Sequence, residues 1–548
     1  MALTLLPLSI RLRRAARRHF GWRALRTGQL AAMRAVMKRR DALVVLPTGH
    51  GKSAVYQVPA TLLPGPTVVI SPLLALQQDQ IAALTERDDS HLAAVRVSSA
   101  ETPAQQRAAL DALRSGAARF LFITPEQLGQ PQRMAEVRDL RPSLVAVDEA
   151  HCISAWGHDF RPDYLQLGHL VRELGRPPVV ALTATASPPV REDIAARLGL
   201  RGPKLVIAGL DRPNLYLEAV GCVTEEDRWK RLLARVRDEE PPGIVYAPTR
   251  RIAEDLADRL VDEGIKAQAY HGGMATGERN RRHEAFLSDE IPVMVATSAF
   301  GMGIDKPNIR WIVHVALPDS PDSYLQEIGR AGRAGAPARA LLLHRAEDMA
   351  LQRFFVGGAP DRIELARVAR ALGDGPASRT DLAADLGIGT RRLGQDLALL
   401  ERVGAVATLH NGRVTAPRYA PAPDEAAQLA VKEAQRQQTV QRSRTDMMRQ
   451  FAEGRECRGQ YLLAYFGEHL AHRCGHCDNC AATGRVPAPR RAAGDVPYPV
   501  HSTVRHTEWG EGLVLRYEQD RVIVLFDEVG YKTLSVPVVL KQGLLRPA

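Results

Sequence analysis

Cysteine is scarce: there are six in 548 residues, too few for a disulfide framework over such a length, and four of them fall between Cys457 and Cys480. That concentration points to a metal site and a reducing compartment, while Cys152 and Cys222 read as plain buried thiols. No apolar stretch reaches the length of a membrane span. The opening residues, MALTLLPLSIRLRRAARRHF, place the apolar run before the charges, the reverse of a secretory signal. The expectation is a cytoplasmic protein with no membrane partner. Wholesale disorder is excluded by 45% hydrophobic and 25% charged residues. The excess of 73 Lys and Arg over 62 Asp and Glu is compatible with a polyanionic partner without identifying one.

The chain is longer than one hydrophobic core usually serves, so about three to five domains are expected. From Asp41 to His344, short apolar runs such as ALVVLP, TVVISP, FLFITP, LVAVDE and VVALTATA, then GIVYAP, VMVATS, WIVHVALP and ARALLLH, alternate with amphipathic stretches. Continuous apolar runs of this length predict parallel strands covered on both faces. LDRPNLYLEAV, Leu210 to Val220, interrupts the pattern and reads as a link between two α/β domains. After Gly357 the period becomes helical, with three helical segments and then a hairpin around Asn411-Gly412, the pattern of a winged helix. Its third helix, near Thr390 to Arg402, would present Arg391 and Arg392 to nucleic acid; the alternative is a protein-docking winged helix without that contact. A charged helical stretch leads into the cysteines, Ala482 to Pro497 reads as a flexible tether, and the last segment as a small β-barrel. The expected architecture is α/β: two P-loop domains (1–209 and 210–356), a winged helix (357–423), a helical four-cysteine zinc module (424–482), a linker (483–497) and a terminal barrel (498–548).

LPTGHGKS, Leu46 to Ser53, follows a strand and opens a helix, as a phosphate-binding loop must. Thr48, Gly49, His50 and Gly51 would bring backbone N–H groups to the phosphates of ATP, Lys52 would reach the β and γ oxygens, and Ser53 would ligate magnesium. Leu46 stands where the usual pattern has its first glycine. LVAVDEAH supplies a strand ending in two carboxylates: Asp148 for magnesium and Glu149 for orienting and deprotonating water, with His151 beside them. In YLQEIGRAGRAG, Arg330 and Arg333 would share a helix face and reach the γ-phosphate from the second α/β domain. Trp156, His158, Phe160, Arg161 and Tyr164 follow the carboxylates within one loop's length and look like a surface for stacking bases. Cys457, Cys474, Cys477 and Cys480, spaced C-x16-C-x2-C-x2-C, suit a closed structural Zn2+ site. His472 and His476 are then left as surface residues.

Taken in order, FGWRALRTGQ, PTGHGKS, VISPLLALQQDQ, ITPEQL, VDEAHCISAWGHDFRPDY, ALTATA, YHGGM, VATSAFGMGIDKPNIRWIVH and YLQEIGRAGRAG resemble the motifs of superfamily 2 helicases and, more narrowly, of the RecQ family of DNA helicases. The resemblance covers Phe20 to His344 and resumes over Arg444 to Cys480. It implies two RecA-like domains, an ATPase moving 3' to 5' on single-stranded and branched DNA in repair or recombination at the bacterial nucleoid, adenine read by Gln29 with Arg26 in support, and a nucleotide contact from Asp305. It further implies that the loop from Ser154 to Tyr164 senses single-stranded DNA. Leu25 replaces an aromatic residue usual in the adenine motif, Ile328 and Ala334 alter the last motif, and the winged helix stands before the zinc module rather than after it. The tail, VRHTEWGEGLVLRYEQDRVIVLFDEVGYKTL, resembles the Tudor/SH3-like domain that ends UvrD/PcrA-type helicases, which implies docking of a protein partner such as RNA polymerase. DNA binding through Arg505, Arg516 and Arg521 is the rival reading.

Overall fold

The computed structural model describes all residues except 1–5, 48, 73, 88, 155–160, 302–303, 305, 334, 350–359, 410–411, 469, 484–496, 501, 519 and 527–528. The chain separates into two compact units, Met1–Met349 with Met447–Arg490, and Ala350–Asp446 with Arg491–Ala548.

The first unit contains two parallel sheets. In the first, the strands lie in the order Ala94–Val97, Phe120–Ile123, Thr67–Ile70, Leu144–Val147, Val179–Thr183, Ala42–Val45, Lys204–Ile207. In the second, the order is Ala267–Tyr270, Val293–Ala296, Gly243–Tyr246, Trp311–His314, Ala338–His344, Leu215–Gly221. All neighbours in both sheets pair in parallel. Interior strands such as LVAV, VVALT and WIVH are buried along their whole length, the result of helices packing on both faces. Residues 215–221 of the expected link are thus a strand of the second sheet. The link itself shortens to the residues just before it, because alternate side chains of LYLEAVG turn inward onto that sheet's core.

The cysteine segment is no detached lobe. Met448, Phe451, Cys457, Tyr461, Leu462, Cys477 and Cys480 belong to the same buried cluster as Ile312, Tyr324 and Leu342 of the second sheet's domain. The helix Pro423–Glu453 runs from the second unit into this one.

In the second unit, helices Arg362–Ala371, Arg379–Leu386 and Thr390–Arg402 precede the short antiparallel pair Ala407–Thr408 and Val414–Thr415. Leu365, Leu382, Leu393, Leu397 and Val414 form their common core, a winged-helix arrangement. Asn411 lies outside the described residues. The expected barrel is a five-stranded antiparallel sheet in the order Gly530–Ser535, Arg521–Phe526, Gly510–Glu518, Thr503–His506, Leu545–Pro547. Among the described residues its two end strands are not paired, because the helix Val536–Gln542 stands between them in the chain and closes the core with Val536 and Val539.

Candidate active site and zinc centre

Three loops leave the same end of the first sheet. The strand Val179–Thr183 lies between those that lead to the glycine loop and to the carboxylates, and Leu46 N–H donates to Thr183 O at 3.1 Å. Parallel strands deliver their C-terminal ends together, so residues remote in sequence meet there. Lys52 Nζ lies 3.8 Å from Glu149 Oε1 and, although buried, has no hydrogen-bond partner among the described residues. A buried ammonium without acceptors fits an anion such as a phosphate oxygen. Gly49 and Gly51 have φ of 79° and 72°, a region that disfavours side chains. A Cβ at Gly51 would also stand 2.7 Å from Gln29 Nε2.

Burial, and then the like charge of Glu149, push the Asp148 carboxyl up, against the opposing pull of Lys52 and of a hydrogen bond from Gln80. A carboxylate that is costly to ionise in its own pocket fits a cation, and Asp148 with Ser53 could hold magnesium. Glu149 is held at φ 47°. His151 is fully buried, with Nδ1 3.2 Å from Glu149 Oε2 and 3.0 Å from Thr183 Oγ1. Gln80 Nε2 donates to Asp148 Oδ2 at 3.1 Å and is itself held by the Tyr56 hydroxyl at 2.7 Å. Sequence reasoning singles out neither Gln80 nor Thr183, although both lie in quoted motifs.

Gln29 Nε2 donates to the carbonyls of His50 and Gly51 at 3.0 and 2.9 Å, and its Oε1 accepts from Arg26 N–H at 2.8 Å. The Arg26 guanidinium donates to Gly49 O. The expected adenine pair is therefore tied to the glycine loop. Thr48 and Asp305 lie outside the described residues.

Arg330 and Arg333 do not share a helix face, because the helix Pro321–Ile328 ends before them. Gly329 and Gly332, the latter at φ 62°, end it in successive turns. The turn is held from the link. Buried Arg212 donates to the carbonyls of Gly329, Ala331 and Gly332 at 3.4, 2.9 and 2.9 Å, and Asn214 Nδ2 donates to those of Gly332 and Ala336 at 2.9 and 2.8 Å. A guanidinium suits such a terminus, where several carbonyls lack partners and the helix dipole is negative. The two arginines separate in consequence. Arg333 stands against the glycine loop, 3.3 Å from where a Gly49 Cβ would be, and donates to Ile304 O. Arg330 is buried on the Tyr246 hydroxyl.

Arg212 falls in the stretch that reads as a link, and one arginine between Asp211 and Pro213 carries no periodic signal. Arg212→Ala is expected to lower ATPase kcat about tenfold while ATP still binds, since the carbonyls of Gly329 and Ala331 lose their guanidinium donor and Gly332 keeps only its weaker neutral donors, which loosens the turn that carries both arginines. Unchanged kcat in a folded variant would show that the turn holds itself.

Trp156, His158 and Phe160 lie outside the described residues. The chain from Arg161 onward is anchored at the carboxylates: Arg161 N–H donates to Cys152 O at 2.9 Å, Arg161 Nη1 to Pro72 O at 3.2 Å, and the Tyr164 hydroxyl to Asp148 O at 3.2 Å. Tyr164 is buried, a core residue and not a stacking surface. In the winged helix Arg391 is exposed, whereas Arg392 is taken up by Glu364 at 2.6 Å and Asp396 at 3.6 Å.

The sulfurs of Cys457, Cys474, Cys477 and Cys480 all lie within 4.8 Å of one another. Tetrahedral zinc with bonds of about 2.3 Å separates its sulfurs by about 3.8 Å, and Cys474 Sγ lies 3.9 Å from Cys480 Sγ. Hydrogen bonds from Cys474 and Cys477 bring the Cys457 thiol down, while the same contacts push Cys474 up, so without metal the negative charge of the pair rests on Cys457. Gly459 is required here, since its Cβ would stand 2.6 Å from that of Cys474. The donor set fits Zn2+ and leaves no open position for chemistry.

His476 is not a surface residue. Its ring lies 2.9 Å from Leu215 O and 3.2 Å from Asp211 Oδ1, its carbonyl accepts from Leu217 N–H at 3.0 Å, and Leu217 bridges Cys477 in parallel. Asp478 accepts from Ala219 N–H at 3.0 Å and pairs with Arg458 at 2.6 and 2.8 Å. His472 is exposed.

Two parallel sheets, a glycine loop with lysine, a DEAH carboxylate pair and an arginine brought to that loop from the second sheet define a two-domain P-loop architecture of the superfamily 2 helicase class. Residues 26–194 match the DEAD/DEAH box helicase family, 226–335 the helicase conserved C-terminal domain and 424–481 the RecQ zinc-binding domain. The ATP-dependent DNA helicase RecQ of Bacillus subtilis (strain 168) is 42% identical over 340 residues, covering 62% of this chain and 57% of that protein. The RecQ of Pasteurella multocida (strain Pm70) is 34% identical over 461 residues, 84% of this chain and 61% of that protein. This chain therefore spans less than two thirds of the length of either relative. The fold is shared with Mycobacterium smegmatis helicase Lhr bound to ssDNA and AMP-PNP, at TM-score 0.50 and 19% identity, over 91% of this chain and 68% of that one. The chain belongs to the RecQ family.

Proposed function

We propose that the chain is an ATP-driven motor that moves 3' to 5' along single-stranded DNA and separates duplex and branched DNA in repair or recombination, working in the cytoplasm at the nucleoid. The observation that carries this reading is Arg333 of the second α/β domain standing on Gly49 of the first, because a site completed across two domains makes their closure depend on the nucleotide.

Residues 1–209 and 210–356 form the motor. Lys52 takes the β and γ oxygens of ATP, with the backbone of residues 48–51 around the phosphates, and Gln29 with Arg26 reads adenine and relays its presence to the loop. Ser53 and Asp148 would hold Mg2+, which supplies charge neutralisation, and Asp305 adds a nucleotide contact. Glu149, oriented by His151, positions the attacking water and accepts its proton. Arg333 and Arg330 stabilise charge on the γ-phosphate.

Trp156, His158, Phe160 and Arg161 stack on single-stranded DNA, and Tyr164 gives that loop a direct grip on Asp148. Arg391 of the winged helix (357–423) meets phosphate, Arg392 only by leaving Glu364. The module 424–482 holds Zn2+, 483–497 tethers, and 498–548 docks a protein partner, RNA polymerase being the one its resemblance implies.

The test is unwinding of 3'-tailed and 5'-tailed duplexes, in DNA and in RNA, with ATP. Only the 3'-tailed DNA should open. Equal opening of RNA, or of the 5'-tailed form, would overturn the substrate or the polarity, and no opening at all would overturn the motor.

A further inference from the structure

Eleven of the 73 Lys and Arg fall in residues 1–40 and none of the 62 Asp and Glu does, so residues 41–548 balance at 62 of each and the whole formal excess of +11 sits at the start of the chain. A solvated protein face is ordinarily mixed in sign; this one is not. The helix Leu8–Phe20 buries Leu12, Ala15, Ala16 and Phe20 in the core of the first α/β domain, beside Tyr56 and Val58. The burial fixes the opposite face, where Arg13, Arg14, Arg17 and Arg18 are all exposed. Among the described residues no carboxylate pairs with these four; Asp89, the carboxylate that meets this helix, is taken by His19 at 2.6 Å. The adjoining helix Gln29–Met37 and the turn after it extend the charge with exposed Arg34 and Lys38.

Stabilisation of the helix dipole accounts for Arg17 and Arg18 in the last turn but not for Arg13 and Arg14 in the middle. A basic amphipathic helix often seats its apolar side in a membrane or a partner's groove; here that side is already used inside the domain, which leaves charge alone as the means of recognition. Residues 13 and 17, and 14 and 18, stand one turn apart on a rigid rod about 20 Å long, the rise of about six base pairs. A stiff row of cations matches a stiff polyanion better than a flexible single strand, and duplex DNA presents one charge per about 1.7 Å. The matched helicase segment begins only at residue 26, so nothing in that likeness accounts for this helix.

We propose that the helix Leu8–Phe20 is a second DNA site, which binds the phosphate backbone of duplex DNA through Arg13, Arg14, Arg17 and Arg18, apart from the site for the translocated strand. This deepens the motor reading and rests on it for the identity of the polyanion.

The test uses the full chain with all four arginines changed to Gln, and a second variant with all four changed to Lys. Affinity for a blunt 20-base-pair duplex and for a single strand is measured from about 50 to 200 mM salt, with melting temperature as the fold control. The Gln variant should lose at least about tenfold in duplex affinity, its log–log salt slope should become shallower by about 3 to 4, and its single-strand affinity should hold within about twofold. The Lys variant should bind duplex like the parent. An unchanged duplex slope in a folded Gln variant overturns the site, as does an equal loss on single strand, or tighter parental binding to phosphatidylglycerol vesicles than to duplex. If the parent opens no tailed duplex while the Gln variant still loses duplex binding, the motor reading fails and the duplex site stands.

Discussion

Lys52→Ala is expected to cut ATP turnover by about a hundred- to a thousandfold while leaving single-strand DNA binding within a few-fold. The reason lies in what surrounds the ammonium: it is buried, it has no hydrogen-bond partner among the described residues, and Glu149 lies 3.8 Å away with Asp148 also within its field. Its removal takes away a phosphate contact and also the positive charge that opposes the upward push on Asp148. Glu149→Gln should separate binding from chemistry, because the amide keeps the shape but cannot accept a proton. That variant should bind ATP and turn it over at no more than about one hundredth of the parental rate. Turnover within about threefold of the parent in either purified protein would remove these residues from the reaction.

Cys474→Ser should lose zinc and, with it, stability well beyond the cysteine segment. A structural zinc site contributes about 10 to 16 kcal/mol in small peptides, and one weakened ligand forfeits enough of this to release the metal at ordinary chelator concentrations. Since Cys457, Cys477 and Cys480 lie in the same buried cluster as Ile312 and Leu342, the loss reaches the second sheet. A loss of about 3 to 5 kcal/mol would lower melting by roughly 10 °C in a domain of this size. Metal analysis and a melting curve on one preparation decide it: one zinc per chain retained, or zinc lost with melting unchanged, would each refute the argument.

The nine strands visible in the sequence as continuous apolar runs are the interior strands of the two sheets, five in the first and four in the second. The four it does not reveal, Ala94–Val97, Lys204–Ile207, Leu215–Gly221 and Ala267–Tyr270, are the four edges. An edge strand is covered less completely, so it mixes polar and apolar residues, as KLVI, LYLEAVG and AQAY do, and leaves no unbroken run. The same logic applies to the site. The glycine loop, the carboxylates and the cysteines are legible because their chemistry demands particular residue types at fixed spacing. Arg212, Gln80 and Tyr164 act one at a time on a carbonyl or a carboxylate, and a single residue has no spacing to read. His476 escapes a sequence reading for a related reason: four sulfurs complete the metal, yet its ring and carbonyl serve the neighbouring strand instead.

That pairing also shields the protein from itself. The strand Leu215–Gly221 ends its sheet, and without a cover its backbone would offer a template to any passing chain. The CxxC turn occupies it, through Leu217 with His476 and Ala219 with Asp478. Chains made in zinc-starved cells, or stripped by a chelator during purification, would expose this border and join to one another along it. Solubility and yield would then follow the metal supply even where no ATP is hydrolysed, and loss of material to aggregates would precede any loss of rate.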